Sequence, residues 1–164
     1  MSARFLCACL SAAALCTGIA PALAADPQSS LDAAGHHLAV VSEGDTIHRV
    51  MVDGKSVFTD PADERLGLTG PYSGQGKTYV LLAEESGGNG CEVVYQAIDL
   101  TRLPVKISPV FGNCGGAEAS VRNGALHVTT GAYTGRPVAG SPLIAGESVT
   151  YQNGRLVHGH GHGR

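Results

Sequence analysis

Three dipeptides, Asp53-Gly54, Asn123-Gly124 and Asn153-Gly154, constrain this chain more than any other feature. Each accepts the positive φ at two consecutive residues that a type I′ turn demands, and the twist of that turn suits an antiparallel pair. Each also stands between short runs rich in β-branched residues: 47–52 and 56–59, 119–122 and 125–130, 148–152 and 155–158. Within the runs Val50 and Val52 alternate with Arg49 and Met51, Leu126 and Val128 flank His127, and Val149 and Tyr151 flank Thr150. That is the period of strands packed on one face, with His48 and His127 expected on the solvated side.

The middle of the chain is different. Residues 79–83 (Tyr-Val-Leu-Leu-Ala) and 93–98 (Val-Val-Tyr-Gln-Ala-Ile) are apolar at nearly every position, as strands covered on both faces are. They are expected at the centre, with 105–111 alongside. No segment beyond residue 24 sustains the i, i+3, i+4, i+7 repeat of an amphipathic helix. The fold class that follows is all-β, a mainly antiparallel sandwich or bent meander of about 8–10 short strands held by one disulfide.

The ends set the domain plan. Arg4, an apolar run from Phe5 to about Ile19, and Ala22-Leu23-Ala24 compose an export signal, so 1–24 is expected to be cleaved before Ala25. Residues 25–37 are small and polar and read as a flexible leader, 38–157 as a single β domain, and 158–164 as a His-Gly tail. Beyond the signal no apolar run approaches the ~18 to 20 residues of a membrane span, so no membrane insertion is expected. Export also removes Cys7, Cys9 and Cys16 and leaves Cys91 and Cys114 in an oxidising compartment. They are expected to pair. Closing a loop of that size stabilises a fold by roughly 3 kcal/mol on the chain-entropy estimate.

Composition narrows the partners. Net charge is −3, Lys and Arg are scattered singly among acidic residues, and Trp is absent. This gives no basic stripe for nucleic acid and no stacking platform. Among near-motifs, Gly74-Gln75-Gly76-Lys77-Thr78 resembles the end of a phosphate loop, but Pro71 stands where its first glycine is required and a strand follows. No paired carboxylates and no nucleophile elbow are present, and no catalytic residue is assigned. The segments 67–76 and 131–146, rich in Gly and Pro, read as the least regular parts and so as the binding loops.

One element carries specific chemistry. His158, His160 and His162 are separated by single glycines, which let the chain fold back so that two or three imidazoles reach one Zn, Cu or Ni ion. They are the candidate metal residues, and no other cofactor is expected.

The run Gly87-Gly88-Asn89-Gly90-Cys91, with Tyr95 and Ile98-Asp99-Leu100, then Phe111-Gly112-Asn113-Cys114, resembles short secreted β-proteins of Gram-negative bacteria that pair a Gly-Gly-x-x-Cys turn with a Phe-Gly-x-Cys exit. The resemblance implies a periplasmic or secreted home and a compact β-fold, and it brings no catalytic position. The expectation is a monomeric, non-enzymatic binding module that holds an envelope protein or component through loops at one end of its sheet. The alternative is metal binding or buffering through the tail.

Overall fold

The computed structural model describes residues 29–44, 47–60, 65–85, 93–112, 114–132 and 145–159. The expected export signal, Cys91, His160, His162 and most of 131–146 lie outside the described residues. The described residues build three four-stranded sheets, each an antiparallel meander in chain order. The N-terminal sheet holds β1 (Ser30–Ala33), β2 (His36–Glu43), β3 (Ile47–Val52) and β4 (Lys55–Asp60). The middle sheet holds β5 (Arg65–Gly74), β6 (Lys77–Glu85), β7 (Val94–Asp99) and β8 (Lys106–Ile107). The C-terminal sheet holds β9 (Ala117–Arg122), β10 (Ala125–Thr130), β11 (Glu147–Gln152) and β12 (Arg155–Gly159).

The three expected hairpins form as the dipeptides dictate, with positive φ at both residues of Asp53-Gly54, Asn123-Gly124 and Asn153-Gly154. Two more use weaker chemistry. Ala34-Gly35 and Gln75-Gly76 take the same paired positive φ, so Gly74–Thr78 is a hairpin tip between β5 and β6.

Strand β6 is the centre of the molecule. Its side chains alternate between two apolar layers, so almost none of it meets water. Tyr79, Leu81 and Ala83 enter a core shared with Leu126, Val128, Val149 and Tyr151 of the C-terminal sheet. Val80 and Leu82 enter a second core with Leu38, Val50 and Val52 of the N-terminal sheet. The molecule is therefore a stack of three sheets with the middle one covered on both faces. The closest approaches between sheets run through β5, which lies beside β9 on one side and beside β1 and β2 on the other.

Aromatic side chains fill one interlayer. Tyr72, Tyr79, Tyr95, Phe111 and Tyr151 are all buried there, and the rings of Tyr79 and Tyr151 meet edge to face at 6.0 Å and 81°. Beyond the two residues of β8 the chain keeps following β7. Ser108 accepts from the Ala97 N–H through Oγ at 2.8 Å and donates its own N–H to the Ala97 carbonyl, and Phe111 pairs with Tyr95 in both directions at 2.8 Å.

Several expectations are corrected. Twelve strands form among the described residues, more than eight to ten. The leader through His37 is not free: Ser30–Ala33 pair with residues 36–39 of β2, because Leu31 and Ala33 can pack inward opposite polar Ser30 and Asp32. Segment 67–76 is no loop: residues 67–74 belong to the longest strand and Gln75-Gly76 is the hairpin turn that follows. Gly74 allows a close approach: a Cβ there would stand 3.3 Å from the Val121 side chain and carbonyl oxygen of β9. His48 has the parity of Val50 and Val52 and so turns toward the neighbouring sheet. The strand runs two residues into the expected tail, since His158 and Gly159 belong to β12.

Candidate functional site

The hairpin β3–β4 builds one wall of a groove. Val50 pairs with Phe58 and Met51 with Ser56, which leaves Val57 as an extra residue, a bulge that lifts it from the regular ladder. The opposite wall is Leu103-Pro104-Val105, in the connection from β7 to β8. Between them lies a cavity of about 480 Å³, open to solvent, with Val52 in its lining. Leu103 is 63% exposed in this lining.

Two charged side chains mark the groove's end. Lys55 and Asp53 both line it. The His36 ring approaches Asp53 Oδ2 at 2.7 Å and the His37 N–H donates to Oδ1 at 2.9 Å. These contacts, the ring first, hold the Asp53 carboxyl below the usual carboxylate range. The carboxylate thus ties the hairpin tip to the start of β2 and stays ionised beside Lys55.

Strand β4 is the last of its sheet, and no strand covers its outer edge among the described residues. An edge of this kind presents backbone N–H and C=O groups to any extended chain. Here it runs beside an apolar trough.

A second concavity, of about 360 Å³, lies on the outer face of the C-terminal sheet among Glu118, Ser120, His127, Thr129, Ser148 and Thr150. His127 sits there on the solvated side as expected, with Nδ1 3.1 Å from Thr150 Oγ1. Ala119, Val128 and Val149 also line it, so its surface mixes polar and apolar groups.

The other predicted residues fall as follows. Cys114 is buried at the exit of the 106–111 segment with a φ of 74°, while Cys91 lies outside the described residues. His158 is in β12 and its Nδ1 is hydrogen-bonded to Glu147 Oε1, while His160 and His162 lie outside the described residues. Among the described residues no cluster of three or more metal-ligating side chains occurs. Sequence reasoning missed the groove, whose walls, Val57 and Leu103-Pro104-Val105, lie far apart in the chain. It also missed Glu147, which only the pairing of β11 with β12 brings to His158.

Ser42, His48 and Asp60 stand in one cross-strand row, with Ser42 Oγ 2.9 Å from His48 Nδ1. None of the three is among the residues lining these two concavities. No protein-family model, no curated protein and no solved structure matches the chain.

Proposed function

We propose that this protein is an exported, non-enzymatic binding module of the bacterial cell envelope, periplasmic or secreted, which holds an extended apolar segment of another envelope protein. The observation that carries the reading is the apolar trough between Val57 and Leu103, running beside the uncovered edge of β4. A peptide laid along that edge gains main-chain hydrogen bonds, and its alternate side chains enter the trough. Lys55 and Asp53 at the end of the groove would fix direction by charge. The expected loops at one end give way here to one hairpin, one connection and an edge strand.

The test is selection of a random displayed peptide library on the purified mature chain, beside Leu103→Asp. Sequences with aliphatic residues at alternate positions are expected, binding at least tenfold weaker to Leu103→Asp, with thermal stability unchanged because Leu103 is exposed. Equal binding by the variant, or no enrichment at all, would overturn the proposal.

A further inference from the structure

The outer face of the C-terminal sheet carries polar groups that the groove does not use. On β9 the side chains of residues 118, 120 and 122 alternate with Ala117, Ala119 and Val121, which pack into the core. Strand pairing then sets two rows across the sheet: Glu118, Thr129 and Ser148 in one, Ser120, His127 and Thr150 in the other. Neighbours within a row stand about 5 Å apart and the rows about 7 Å apart. Both rows line the concavity of about 360 Å³.

This grid is restrained and still has bonding capacity to spare. His127 Nδ1 lies 3.1 Å from Thr150 Oγ1, and Thr129 Oγ1 lies 3.5 Å from Ser148 Oγ. The Thr150 hydroxyl turns to suit either tautomer, so His127 Nε2 serves a ligand as donor or as acceptor. Among the described residues Ser120 Oγ, the Glu118 carboxylate and the Arg122 guanidinium have no hydrogen-bond or ion-pair partner. Glu118 and Arg122 are about 13 Å apart along β9, so they bound the concavity as an acceptor at one end and a donor at the other.

These features separate the classes of ligand. Strands β10 and β11 are inner strands with their backbone groups already paired, so an extended peptide has no edge to add to here. One guanidinium opposed by one carboxylate gives no net pull on a polyanion. A neutral saccharide meets both conditions: each of its hydroxyls donates and accepts, and its C–H framework suits a lining of mixed polar and apolar character. We infer that this concavity is a second binding site, for a neutral saccharide, with Ser120 and His127 at its centre and Glu118 and Arg122 at its ends. No Phe, Tyr or Trp is among its described lining residues, so affinity rests on hydrogen bonds exchanged with water and is weak. The site is independent of the groove.

Nitrogen-15 correlation spectra of the mature chain, titrated with chitotetraose, cellotetraose and maltotetraose, test this beside His127→Ala, Arg122→Ala and Leu103→Asp. With at least one of these sugars, saturable shifts are expected in the amides of β9, β10 and β11. Affinity should fall at least tenfold in His127→Ala and in Arg122→Ala and stay unchanged in Leu103→Asp, so this site and the groove stand or fall separately. Arg122 is exposed and its removal spares the core, while unchanged resonances in the other two sheets report the same for His127→Ala. No saturable shift with any of the three sugars would overturn the inference. So would shifts centred on the groove, wild-type affinity in either His127→Ala or Arg122→Ala, or tighter binding of a sulfated heparin tetrasaccharide than of any neutral one.

Discussion

Tyr79 and Tyr151 share one interlayer and one ring contact, yet their hydroxyls have opposite standing. The Tyr79 O–H donates to the Gly124 carbonyl at 3.0 Å. The Tyr151 hydroxyl is buried and has no hydrogen-bond partner among the described residues. Phenylalanine in either place keeps the ring and removes only the oxygen. At Tyr79 the change forfeits a hydrogen bond of about 0.5–1.5 kcal/mol and leaves a buried carbonyl unpaired, a loss of about 1–2 kcal/mol together. At Tyr151 it removes an uncompensated desolvation of about 1–3 kcal/mol and leaves a void smaller than a methyl group. Tyr151→Phe should therefore gain about 1 kcal/mol. The two variants should differ by about 2–3 kcal/mol, or about 10 °C in Tm for a domain of this size. Urea unfolding followed by circular dichroism measures both, with an unchanged m-value as the check that only stability moved. A Tyr151→Phe protein destabilised as much as Tyr79→Phe would refute the reasoning, because it would mean that the Tyr151 hydroxyl is satisfied.

Three further outcomes are expected. A Cβ at Gly115 would lie 2.1 Å from the Gly131 carbonyl oxygen, backbone against backbone, so Gly115→Ala should destabilise by about 3 kcal/mol or more in the same urea assay. Burial pushes the hydroxyls of Tyr79, Tyr95 and Tyr151 up. A raised folded value means stability is complete below the ordinary tyrosine range near pH 10 and falls as pH rises above it, so phenolate absorbance from these three should appear together with unfolding and not before. The Asp53 carboxyl lies below its ordinary value, so its contribution is present above about pH 4 and disappears on further acidification. Asp53→Asn should be less stable than wild type at neutral pH and converge with it at about pH 2.

Most strands were legible because their signals are local. Asp53-Gly54, Asn123-Gly124 and Asn153-Gly154 took the backbone angles their chemistry favours, and the flanking alternation fixed which residues face inward. The doubly apolar run at 79–83 likewise announced a strand covered on both faces. Reading failed where composition and conformation part company. Gly67, Gly70, Pro71 and Gly74 look like loop residues, yet they lie in β5, where Gly74 meets Val121 of β9 too closely to carry a side chain. Ser30 to Ala33 is too short and too polar to declare itself, and it is a strand only because β2 lies beside it.

Sequence alone determined the all-β class, the antiparallel hairpins and the central place of β6, because turn dihedrals and side-chain period are properties of a few consecutive residues. Tertiary structure decided everything that joins distant residues. The groove needs Val57 and Leu103 to face each other across two sheets, and the Glu147 contact with His158 needs a hairpin to close. No local pattern encodes such pairs, since which residues meet depends on strand order and on the register of the whole stack.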